Sequence, residues 1–112
     1  MALAARGSYW EAVDDLDRAI AHDPARSDAY AFRAAAYRYI GSLELAADDI
    51  ARALALDPDD PAFLLERGNI RRLAGDDVGA RADWLRILTE APGAPAAQSA
   101  QVNLERLDVT VE

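Results

Sequence analysis

Few side chains in this sequence could do covalent chemistry, and their spacing argues against it. His22 is the single histidine and there is no cysteine. Neither a disulfide framework nor a Cys/His zinc site can be assembled from that set, and a catalytic role for His22 has no Cys or second His to support it. His22 falls near the end of a helical stretch, where an imidazolium interacts favourably with the helix dipole. The paired acids Asp14-Asp15, Asp48-Asp49, Asp59-Asp60 and Asp76-Asp77 could serve acid/base chemistry or a hard cation. They fall on helix faces or at helix starts, where Asp caps free N–H groups, and none follows the spaced calcium-loop pattern. Phosphate-cradling glycine loops and serine elbows are absent. The expectation is a protein that binds without catalysing, with no cofactor and no metal.

Charge narrows the partner. Twenty acidic against 12 basic residues give a net charge of −8, which repels nucleic-acid phosphates and anionic membrane surfaces. No apolar run approaches the roughly 20 residues of a membrane-spanning helix, and no leader of signal-peptide form opens the sequence. Protein or peptide is the expected partner, and the compartment stays open. Hydrophobic residues make up 52% and charged residues 29% of the chain, a globular balance that predicts one soluble domain. All the basic residues are arginine, which fits a GC-rich coding sequence.

The elements that must position these groups come from a repeat. Displacing the chain by 34 residues pairs 24 identical residues among the 78 compared. Gly7, Gly41 and Gly75 recur at that step, as do Ala12, Ala46 and Ala80; Asp15, Asp49 and Asp83; Arg18, Arg52 and Arg86; and Pro24, Pro58 and Pro92. Leu16, Ile50 and Trp84 keep an apolar residue while its volume drifts, as at a buried site that neighbours repack around. From Leu43 to Leu56, apolar Leu43, Ala46, Ala47, Ile50, Ala53 and Leu54 recur at steps of three and four, opposite Glu44, Asp48 and Arg52, which predicts an amphipathic helix. Each glycine suits the sharp turn after a helix, and each proline marks the end of the next one. The unit is therefore helix, turn, helix, turn.

These markers resemble the tetratricopeptide repeat (TPR) family. Ser27–Asp60 carries the family's pattern in Tyr30, Arg33, Ala34, Tyr37, Gly41, Ala46, Ile50, Ala53 and Pro58. Pro61–Ala94 carries it in Leu64, Arg67, Gly68, Gly75, Ala80, Trp84 and Pro92, and departs with Arg71 in place of Tyr and Ile87 in place of Ala. The resemblance implies an all-α, right-handed superhelical solenoid of antiparallel helix pairs. Residues 1–108 would form one domain: a partial first repeat at 1–26, repeats at 27–60 and 61–94, a capping helix at 95–108, and a tail at 109–112. Gly7 is expected at a turn, with Met1–Arg6 as the end of one helix and Ser8–His22 as the next. Either the array is longer or the open end is covered by something else.

The family resemblance also implies a peptide- or protein-binding scaffold whose first helices line a concave groove; the alternative is a homo-oligomerisation module or an accessory fragment of a longer repeat protein. Arg33 and Arg67 are expected in buried or half-buried ion pairs with the recurring Asp15, Asp49 and Asp83, and Tyr30, Tyr37, Ile50 and Trp84 in the core. Arg38, Arg72 and Arg106 recur along one line, with Asn69 and Asn103 three residues before the last two, and these match groove-facing positions. With Tyr39 they form the expected binding set, suited to an acidic or C-terminal peptide. Tyr9, Trp10, Val13 and Leu16 are expected to lack partners and to form an apolar patch through which a homodimer assembles.

Overall fold

The computed structural model describes the backbone of residues 3–110 and the side chains of residues 7–108. Six helices follow one another: α1 (Leu3–His22), α2 (Ser27–Ile40), α3 (Leu43–Leu56), α4 (Pro61–Leu73), α5 (Asp77–Glu90) and α6 (Pro95–Thr110). There is no strand among the described residues, so the fold is all-α. The chain forms two compact units, Met1–Pro58 and Asp59–Glu112. In the first, α2 packs against α1 and α3; in the second, α5 packs against α4 and α6, and α4 also meets α6.

Local chemistry sets the helix ends. Gly41 and Gly75 have φ of 97° and 90°, a left-handed conformation open to glycine without a Cβ clash. That conformation lets Ser42 N–H donate to Tyr37 O (2.9 Å) and Asp76 N–H donate to Arg71 O (2.8 Å), closing both helices with the same bond. Asp60 accepts from Ala62 N and Phe63 N at the start of α4, with Pro61 first in the helix. Asp76 accepts from Gly79 N (2.9 Å) at the start of α5. Each cap satisfies donors that have no intrahelical acceptor.

At Gly7 the expectation of a turn is corrected. Helix α1 runs unbroken from Leu3 to His22, and Gly7 does not share the positive φ of Gly41 and Gly75. Continuing the helix through Gly7 adds one bond per residue ordered and avoids nucleating a second helix. Met1 and Ala2 lie outside the described residues.

In α3 the buried stripe is Ala46, Asp49, Ile50, Ala53 and Leu54. Ala47, expected on that face, is exposed, because the stripe is centred on Asp49, a polar residue that counting apolar positions passes over. Tyr30 and Tyr37 are half-buried rather than core. The Tyr30 hydroxyl donates to Pro24 O (2.9 Å), which keeps its polar end toward the surface. Ile50 and Trp84 are each 1% exposed, as expected.

Trp84 fills its place only because position 68 has no side chain. A Cβ on Gly68 would sit 2.8 Å from Trp84 Cδ1, inside van der Waals contact. The equivalent residues of the first unit, at the same 34-residue offset, are Ala34 and Ile50, both buried. A larger residue on one helix is thus matched by a smaller one on the other. Trp84 Nε1 is, among the described residues, a buried polar atom with no hydrogen-bond partner. Gly68→Ala is expected to cost about 2 kcal/mol by overpacking, and Trp84→Ile in the same chain should recover most of it. Urea unfolding of the single and double variants checks this; strictly additive losses would contradict the volume match.

Candidate functional site

The two units share a charged lock. In the first, Arg33 of α2 meets Asp49 of α3 through Nε–Oδ2 (2.7 Å) and Nη2–Oδ1 (2.7 Å). In the second, Arg67 of α4 meets Asp83 of α5 through Nε–Oδ2 (3.0 Å) and Nη2–Oδ1 (2.8 Å). Asp49 is 2% and Asp83 3% exposed. A buried carboxylate is tolerable because a planar guanidinium meets both of its oxygens in parallel. Asp15 differs: it pairs with Arg18 at the surface of α1 and, among the described residues, receives no arginine from another helix. In its place Asp17 accepts from Arg33 Nη1 (2.9 Å). The Asp49 hydrogen bonds hold the Arg33 guanidinium well above its ordinary pKa, against the opposing effect of burial.

A third N–H completes each buried carboxylate, from a different place in each unit. Arg52 Nη1 lies 3.4 Å from Asp49, whereas Arg71 Nη1 donates to Asp83 at 3.0 Å. Arg71 is the residue that departs from the usual Tyr, and this bond is what the departure supplies. With Arg71 on Asp83, the counterpart of Arg52, Arg86, turns to Glu90 and Asp59.

The expected binding residues fall in two places. In the second unit, Asn103 Nδ2 of α6 donates to Asn69 Oδ1 of α4 (3.2 Å). Each amide keeps half its capacity: Asn69 has its NH2 group and Asn103 its carbonyl still to offer. Arg72 and Arg106 follow one turn along the same helix faces, half-buried and exposed respectively. In the first unit, the Arg38 guanidinium lies 4.4 Å from the centre of the Tyr39 ring, and that ring stacks on Tyr9 (4.7 Å, 6°).

The apolar patch expected on α1 is not a single open surface. Val13 is 3% exposed, Tyr9 stacks on Tyr39, and Trp10 meets Tyr37 edge-on at 6.3 Å while remaining 47% exposed. Leu16 is half-buried. The helix is rotated so that Tyr9, Trp10, Val13 and Asp17 address α2. No group of three His, Cys, Asp or Glu among the described residues could hold a metal ion, and no described helix is long and apolar enough to cross a membrane.

Solved structures overlay on this arrangement. The second TPR domain of human RPAP3, solved in complex with the HSP70 peptide SGPTIEEVD, is 30% identical, with a TM-score of 0.75 over 88% of this chain and 82% of that one. The first TPR of Spaghetti (RPAP3), bound to the HSP90 peptide SRMEEVD, is 25% identical, with a TM-score of 0.82 over 94% of this chain and 81% of that one. The Yersinia enterocolitica type III secretion chaperone SycD, in complex with a peptide of the translocator YopD, shares the fold at 16% identity (TM-score 0.81, 95% and 84% covered). No protein-family model matches the sequence, and no curated protein does. With its helix pairs, its 34-residue register and these structural relatives, the chain belongs to the tetratricopeptide repeat family.

Two outcomes test the lock and its surroundings. Asp49→Ala strands Arg33 with only Asp17 and should lower stability by about 3 kcal/mol, read as a clear drop in melting temperature; an unchanged curve would remove the pair from the account. Burial raises the Tyr37 phenol above its usual 10.0, partly opposed by Arg33. A raised folded-state value means that this contribution to stability is whole below pH 10 and lost as pH rises through the raised value. In an alkaline absorbance titration, Tyr37→Phe should remove a phenol that ionises above pH 10.0. Loss of an early one would contradict the burial.

Proposed function

We propose that this chain is a non-catalytic scaffold that binds an extended peptide. The observation that carries the reading is the Asn69–Asn103 contact, which leaves one amide donor and one amide acceptor side by side. A peptide backbone offers the complementary pair, a carbonyl and an N–H. Arg72 and Arg106, one turn further on, have no ion-pair partner among the described residues, so their forks are available to carboxylates. In the first unit, Arg38 lies over the Tyr39 ring.

A segment with acidic side chains or a free C-terminal carboxylate fits these donors. The acidic peptides held by the RPAP3 domains support that chemistry. The chain's net charge of −8 opposes an acidic partner at long range, so recognition rests on the local arginines and is screened by salt. Labelled acidic peptides ending in a free carboxylate should bind the wild type with an affinity that falls as salt rises. Arg72→Ala should weaken binding about tenfold or more, the loss of a charge-assisted fork. Equal affinity in both proteins, or binding indifferent to salt, would remove the arginines from the mechanism.

A further inference from the structure

The outer face of α1, α3 and α5 is marked by four positions at steps of four, three and four, and in all three helices every one of them is exposed. In α1 they are Trp10, Asp14, Asp17 and Ala21, and in α3 Glu44, Asp48, Ala51 and Ala55, so each of these stripes carries two acids. In α5 they are Val78, Ala82, Leu85 and Thr89, with no charge among them. Val78 is 83% and Leu85 47% exposed. The Thr89 hydroxyl donates to Leu85 O (3.0 Å), which satisfies it within its own helix. The repeat does not require apolar residues there, since α3 packs in its unit with Glu44 and Asp48 at the same places. The arginines on either side of the stripe are already paired, Arg81 with Asp108 (2.6 Å) and Arg86 with Asp59 and Glu90 (2.6 Å each). What α5 offers outward is therefore apolar contact with no charge to satisfy.

We propose that this stripe is the surface through which two copies of the chain associate, their α5 helices packed antiparallel. Large and small side chains alternate along it in the order Val78, Ala82, Leu85, Thr89. A two-fold axis between Asp83 and Trp84 sets Val78 of one copy beside Thr89 of the other, and Ala82 beside Leu85, so each large side chain meets a small one. A parallel arrangement would set Val78 on Val78 and Leu85 on Leu85. Antiparallel helices also bring the positive end of each beside the negative end of the other. Charge selects the occupant. Each copy carries −8, and two copies meeting over the outer faces of α1 or α3 would set acid against acid, whereas the α5 stripe opposes none. Four side chains are a small area against the roughly 800 Å² per partner of a stable interface. The dimer is accordingly weak, with a dissociation constant on the order of 100 μM.

Light scattering of the full chain should show the mass climbing toward twice the monomer as concentration approaches about 1 mM. Added sodium chloride should raise it further, because salt screens the repulsion between copies and leaves the apolar contact intact; peptide binding by the arginines moves the other way. Val78→Glu and Ala82→Asp give α5 the residues that α3 carries at those places. Each should hold the mass at the monomer with an unchanged far-ultraviolet circular dichroism spectrum, while Arg72→Ala should leave the association as it is. The chain has no cysteine, so single cysteines report the orientation. Ala82→Cys stands about 4.5 Å along the axis from its counterpart and should form a disulfide-linked dimer on oxidation, whereas Val78→Cys, about 16 Å along, should not. The inference is overturned by a monomeric mass at the highest concentration, which would leave the stripe to a foreign helix. It is equally overturned by association that Ala82→Asp does not change or that salt weakens, or by Val78→Cys cross-linking as readily as Ala82→Cys.

Discussion

The arginine fork on a buried aspartate is the constraint around which both units are arranged. Burying a carboxylate costs several kcal/mol unless its oxygens are paired, and an arginine left without its acceptor is as costly. Arg33–Asp49 and Arg67–Asp83 therefore fix the separation and the rotation of each helix pair at once, because a bidentate contact tolerates little displacement. The neighbouring contacts follow from that setting: the apolar residue after each aspartate lies opposite the small residue after each arginine, and the third donor on each carboxylate is drawn from whichever arginine can reach it. Apolar packing supplies most of the driving force, and the ion pair selects one register from the several that two alanine-rich helices would accept.

Once the helix pairs are locked, the remaining faces are what the molecule can offer to others. Helices α2 and α4 carry arginines outside the lock, and in the second unit α6 brings Asn103 against Asn69. The lock and the residues proposed to bind a peptide lie on different sides of the same helix: Arg67 meets Asp83, while Asn69 meets Asn103.

Much of this was legible in the sequence because the repeat marks it with unusual residues. Pro24, Pro58 and Pro92 each stand two residues beyond the end of a helix, at His22, Leu56 and Glu90, and Gly41 and Gly75 adopted the left-handed conformation that the turns require. The pairs Arg33–Asp49 and Arg67–Asp83 followed from recurrence, as did the buried Ile50 and Trp84. Gly7 misled because glycine at that spacing permits a turn but does not by itself end a helix. Asp17 on Arg33 and the Tyr9–Tyr39 stack had no recurring counterpart to announce them; they depend on how far α1 is rotated against α2. The third donor on Asp83 was visible only as a departure, Arg71 for Tyr, whose purpose needed the geometry.

The most direct test of the account is a double-mutant cycle on Arg67 and Asp83, using Met and Leu as uncharged replacements and measuring unfolding free energies. Each single change should be strongly destabilising because it leaves a charge unpaired in the second unit, and the double variant should recover a large part of the loss, giving a coupling of about 2 kcal/mol or more. Coupling near zero, with the two losses simply adding, would contradict the claim that this pair sets the helix register.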